Sequence, residues 1–125
     1  MKKFYALEFV SGTVLLAVVL ALALARPHAA RANSPKVVEI TAKRFEFVPN
    51  KITLKKGEPV TIRLTSADVV HGFFLRPLKI DELISPDKPT EVTVTPQTAG
   101  TFTTICDHFC GVNHGSMKMT VVVEE

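Results

Sequence analysis

Both cysteines of this 125-residue chain, two of its four histidines and two of its three methionines fall within residues 103–119, TTICDHFCGVNHGSMKM. The donor spacing is Cys106-x3-Cys110-x3-His114-x2-Met117. Thiolate, imidazole and thioether form a soft ligand set, which favours copper. A one-copper electron-transfer site takes two histidines, one cysteine and a weak axial methionine. Cys110, His114 and Met117 supply three of these in chain order. His71, in SADVVHGFFL, is the candidate for the second histidine, because His28 lies in the N-terminal leader. Cys106 is then surplus to one copper. Two thiolates four residues apart on a looping segment can each bridge two metal ions. Bridging shares negative charge, holds the ions close and lets one electron spread over both. Little geometry then changes when that electron arrives or leaves, and transfer is fast.

Plainer readings compete at each position. Two nearby cysteines in an exported domain can oxidise to a disulfide, although this leaves His114 and Met117 unexplained. A structural zinc site pairs C-x2–4-C with H-x3–5-H and uses no thioether. Met117 could be a core side chain at the start of a strand, and Met119, two residues on, is read as core. His71 sits between apolar runs with no obvious partner charge. Asp68, three residues before it, reads as a turn residue or a support rather than a base.

These donors need strands to hold them. VVEITA and FEFV alternate apolar and polar residues, as half-buried strands do. Ile52 and Leu54 share one face of a strand, then Lys-Lys-Gly turns the chain, and Val60, Ile62 and Leu64 share a face of the next. HGFFL is a short apolar strand. RPLKIDELISPDKP is irregular, with a helical turn expected at residues 80–84. TEVTVTP, TFTTIC and MKMTVVVEE are three further strands, the last rich in β-branched residues. Short strands with turns between them predict an all-β sandwich, a small open barrel being the alternative. The donor-rich segment is then the loop between the last two strands, tied to the sheet at both ends.

Residues 1–32 are read separately. A basic start precedes Phe9 to Ala25, seventeen uncharged and mostly apolar residues. Pro27 follows, and Ala30 and Ala32 give an A-x-A pattern, the shape of a secretory signal peptide. The competing reading is a retained membrane anchor, at the short end of the roughly 17–25 residues that span a bilayer. Arg26 and Arg31 count against an N-in anchor and tilt the reading to cleavage. Either way the remainder is exported, with residues 33–36 as a linker and 37–125 as one domain. Lys2, Lys3, Arg26, Arg31 and Glu8 all precede Asn33, leaving eleven basic and eleven acidic residues from there on. The pI near 9.0 therefore belongs to the leader, and no basic cluster marks a nucleic-acid surface.

DVVHGFFL together with CDHFCGVNHGSM resembles the dinuclear copper A domain of cytochrome c oxidase subunit II. FEFVPNKITLKKGEPVTIRLTSADVVHGFFL is similar to that domain's strands before the first ligand. The resemblance extends over residues 37–124. It is also similar to the copper domain of nitrous oxide reductase. The resemblance implies a cupredoxin-like Greek-key β-sandwich preceded by an N-terminal hydrophobic helix. It implies two copper ions bridged by Cys106 and Cys110. His71 and Met117 complete one copper; His114 completes the other, with the backbone carbonyl of His108 as a weak ligand. Many subunit II proteins carry, at the position of His108, a glutamate whose side chain reaches a magnesium ion, so no magnesium role is expected here. The chain also lacks tryptophan and the aromatic-rich segment that receives electrons in many subunit II proteins.

The resulting expectation is an electron-transfer module, as or like subunit II of a cytochrome c oxidase. A redox protein such as a cytochrome c donates, and oxidase subunit I is a candidate acceptor. The alternative is an exported copper-binding carrier or chaperone of the same fold. No Ser-His-Asp set, paired carboxylates or phosphate loop provides a self-contained catalytic site. The expected location is the periplasm or the outer face of the cytoplasmic membrane, with membrane contact through residues 9–25 if they are retained.

Overall fold

The computed structural model describes residues 34–125. The signal peptide or anchor assigned to residues 1–32, and the expected N-terminal hydrophobic helix, lie outside the described residues. Nine strands follow in order: β1 (Lys36–Lys43), β2 (Glu46–Val48), β3 (Lys51–Lys55), β4 (Val60–Ser66), β5 (His71–Leu75), β6 (Ile80–Ile84), β7 (Thr90–Val94), β8 (Gly100–Ile105) and β9 (Lys118–Glu124). β1 begins at Lys36, the last residue assigned to the linker.

The strands form two sheets, one ordered β2-β1-β4-β7 and the other β3-β9-β8-β5-β6. The chain crosses from the first sheet to the second at Pro49–Asn50, between β2 and β3. Each sheet contains a parallel pair joining distant segments: β1 runs with β4, Ile40 opposite Leu64, and β3 runs with β9, Ile52 opposite Val121. Alternation decides which side chains face inward. Ile40, Ala42, Ile62 and Leu64 of the first sheet are buried, as are Ile52, Leu54, Val121 and Val123 of the second. Phe47 of β2 and Phe73 of β5, both fully buried, meet edge to face with centroids 5.6 Å apart. Met119 belongs to this core, as expected. At Gly57, φ +78 allows the tight turn into β4 with no Cβ to strain it.

The helical turn expected at residues 80–84 is instead strand β6. A 3-10 turn occupies Arg76–Leu78, and Lys79 reverses the chain with φ 55. Residues 80–84 then pair antiparallel with β5, from Leu75 opposite Ile80 to His71 opposite Ile84. Buried Ile80 and Ile84 are four apart, a spacing that fits one face of a strand as well as one face of a helix. The other difference concerns FEFV: β2 begins at Glu46, and Phe45 lies in the turn before it.

Candidate metal centre

β5 is buried on both sides at its start, where His71, Gly72 and Phe73 are all enclosed. Phe73 faces the core. On the other side the loop after β8 lies directly on the backbone of Gly72. A Cβ there would collide with Asp107 Oδ1 and stand 2.7 Å from the His108 backbone nitrogen. The absence of a side chain at position 72 therefore lets the two segments touch. The contact brings the Gly72 N–H to 3.4 Å from Cys106 Sγ.

The loop from Cys106 to Met117 is closed at its base, where the Cys106 N–H donates to the Met117 carbonyl at 3.1 Å. Inside it, the His114 N–H donates to the Gly111 carbonyl, and a 3-10 turn over His114–Ser116 leads into β9. Met117 is therefore fixed at the point where the loop rejoins the sheet.

This arrangement gathers the donors. Ligand atoms of His71, Cys106 and Cys110 all lie within 4.8 Å of one another. The two Sγ atoms are 3.7 Å apart, and Met117 Sδ is 3.9 Å from Cys110 Sγ. The His108 carbonyl is 3.1 Å from Cys106 Sγ, while no hydrogen bond from another described residue engages its imidazole. His114 stands outside the three-residue group. Its ring packs against Phe109, centroids 5.4 Å apart, and its Nδ1 is buried with no hydrogen-bond partner. The cysteines are free thiols, so the disulfide reading is not the state described.

His71 is completely buried, and one of its ring nitrogens is accounted for: Nε2 lies 2.7 Å from Asp68 Oδ1. Nδ1 is buried and unpartnered. A carboxylate fixes an imidazole by accepting its N–H, which leaves the other nitrogen as a lone-pair donor. Asp68 is thus the partner charge that the sequence around His71 did not make obvious. It is itself held in place: its Oδ2 accepts the Arg44 N–H at 2.8 Å and its Oδ1 accepts the Val69 N–H at 2.7 Å. Burial pulls the Asp68 carboxyl upward, but the hydrogen bonds from Arg44, His71 and Val69 outweigh it and hold the group down at about 2. Asp68 is therefore a carboxylate at any ordinary pH.

Burial pushes the Cys110 thiol up to about 11, and the adjacent Cys106 adds to the effect. Without a cation nearby, Cys110 keeps its proton at neutral pH. The enclosed, unpartnered Nδ1 of His71 is costly unless something satisfies it, and two buried thiols and a thioether gather beside that ring. The residues fit a soft metal, and copper suits this donor set better than zinc. Beyond the enclosed donors, the loop exposes Phe109 and Val112, at 71% and 93% of their free surface.

Gly72 and Arg44 were not singled out from the sequence. The signal for Gly72 is its place directly after the ligand candidate His71; nothing local marks Arg44.

A model described as a cupredoxin-like domain matches residues 14–123. Cytochrome c oxidase subunit 2 of Thermus thermophilus is 33% identical over 88 residues, covering 70% of this chain and 65% of that protein. Nitrous-oxide reductase of Cupriavidus necator is 33% identical over 97 residues, covering 74% of this chain but 15% of that protein. The chain thus spans just under two thirds of the first relative and a small part of the second. Among solved structures, the periplasmic domain of subunit II of cytochrome oxidase from Bradyrhizobium japonicum superimposes with a TM-score of 0.66 at 19% identity. That match covers 72% of this chain and 84% of the other.

Proposed function

The chain belongs to the cupredoxin-like domain family, and from that premise we propose that it relays electrons through a dinuclear copper A centre, as or like subunit II of a cytochrome c oxidase. The observation that carries the proposal is the pair of free, buried thiols 3.7 Å apart, with a His71 nitrogen within 4.8 Å of both. A one-copper protein of this fold needs one cysteine; here two face the same space.

On this reading Cys106 and Cys110 would hold both coppers through their thiolates, with His71 through Nδ1 and Met117 through Sδ as further donors to one. His114, whose Nδ1 is enclosed without a partner, would be a donor to the other, with the His108 carbonyl as a weak donor. When bound, the pair of ions accepts and returns a single electron.

Everything else is done by the chain. Asp68 keeps the Nε2–H of His71 occupied and its Nδ1 free. The Cys106–Met117 hydrogen bond pins both ends of the loop to adjacent strands, which limits movement of the donors between redox states. Burial excludes water and competing ligands. The Cys110 proton must leave when metal is taken up, so binding is coupled to pH.

The exported domain works on the periplasmic side. A redox protein such as a cytochrome c donates, meeting the exposed Phe109 and Val112 at the loop tip, and subunit I of a terminal oxidase accepts. The chain supplies electron entry and no oxygen chemistry of its own. The enclosure of His71, Cys106 and Cys110, each at most 4% exposed, argues against a carrier, whose donors must be open to a receiving protein.

Rapid mixing of the copper-loaded chain with reduced cytochrome c tests this reading. The expected result is oxidation of one cytochrome per chain, with matching loss of the copper absorption. Transfer of copper to an acceptor protein, without electron uptake, would contradict it.

A further inference from the structure

The turn between β1 and β2 reaches the metal centre from the opposite sheet. Its backbone N–H at Arg44 donates to Asp68 Oδ2 at 2.8 Å, and Asp68 in turn holds His71. The Arg44 side chain goes elsewhere: its Nε donates to the carbonyl of Cys110 at 2.8 Å, across 66 residues of sequence. Directly after that carbonyl, Gly111 has φ +142, and a Cβ there would stand 2.9 Å from the Phe45 ring and 3.5 Å from Arg44 Nε. Two adjacent residues of one turn therefore touch both His71's support and the backbone of the Cys110 segment.

From this convergence we propose that Arg44 is a positioning residue of the copper site, setting where Cys110 presents its sulfur. The inference rests on the copper reading for what the positioning serves, but not for the contact itself. A carbonyl held by a guanidinium cannot rotate freely, and rotation of that peptide would swing the Cys110 side chain. The Cys110 sulfur is itself enclosed, 3.7 Å from Cys106 Sγ and 3.9 Å from Met117 Sδ, so what the guanidinium adds is a hold on the backbone that carries it. The two bonds made by Arg44 are separable, because replacing the side chain removes the guanidinium and leaves the backbone N–H on Asp68.

The test uses Arg44→Met and Arg44→Lys in the full chain. Met preserves the aliphatic stem without a donor; Lys restores a cationic donor on a flexible stem. In the chelator-treated protein, the alkylation rate of Cys110 is measured below the melting transition. It is expected to rise about tenfold in Arg44→Met, in line with the net worth of one charge-assisted hydrogen bond, and to fall between the two in Arg44→Lys. In the copper-loaded protein, release of metal to a chelator is expected to quicken by about 10-fold or more, with a changed electron spin resonance spectrum. Unaltered alkylation in Arg44→Met overturns the proposal, even if that variant melts at a lower temperature. If the unaltered chain fails to take up copper, the function proposed above falls. The thiol-accessibility arm still decides whether Arg44 positions Cys110.

Discussion

Asp68 Oδ1 lies 2.7 Å from His71 Nε2, while the other ring nitrogen of His71 is buried and has no partner. The imidazole is thus oriented by one atom and left available at another. Asp68→Asn keeps the shape but can no longer serve as an anionic acceptor. Copper affinity is expected to fall about 10- to 100-fold, measured by competition with a chelator, with the fold intact by circular dichroism.

The same carboxylate sets an acid limit. Asp68 is held at about 2, below its ordinary 3.8. A group depressed in the folded state contributes stability that is complete above its unfolded pKa and is lost as pH falls through the folded one. The chelator-treated chain should therefore lose melting temperature between about pH 4 and pH 2 more steeply than Asp68→Asn. Parallel curves would show that Asp68 contributes nothing to that limb.

Cys110 sets the opposite limit. Its thiol is raised from 9.0 to about 11 in the folded chain. A raised group contributes stability that is present below its unfolded pKa and lost as pH rises through the folded one. Stability of the metal-free chain should decline between about pH 9 and pH 11. Cys110→Ser should flatten that decline in a melting series.

Gly72→Ala tests the close approach of the loop to β5. The new methyl would meet Asp107 Oδ1 and the His108 backbone nitrogen, so the loop must lift and the N–H contact to Cys106 Sγ must lengthen. The expected outcome is copper binding weakened about tenfold or more, read by chelator competition, with the nine-strand core retained. Unchanged affinity would show that the loop yields without cost.

The core is a separate prediction. Phe47→Ala opens a cavity between the sheets where its ring meets Phe73 edge to face. It should cost about 3–5 kcal/mol, a large part of the stability of a small domain. Urea unfolding of the chelator-treated chain measures it.

Much of this was legible in the sequence because β-strand alternation and metal-donor spacing are local signals. Ile52 with Leu54, and Val60 with Ile62 and Leu64, announced their buried faces. The spacing of Cys106, Cys110 and Met117 announced sulfur donors that the structure brings together beside His71, whereas His114, expected among them, stands outside that group. What was not legible depends on contacts between distant segments. Arg44 meets Cys110 only because the turn between β1 and β2 and the loop after β8 converge. Gly72 matters only because that loop lies on it. Ile80 and Ile84 were ambiguous for another reason: four-residue spacing suits both strand and helix, and pairing with β5 decided it.

If two thiolates hold two coppers, counting the metal decides it. The chain is loaded with copper, freed of excess metal, and measured for copper content and electron spin resonance. The expected result is two coppers per chain and a hyperfine pattern from one electron shared between both nuclei, lost in Cys106→Ser. One copper per chain with an ordinary four-line spectrum would contradict it.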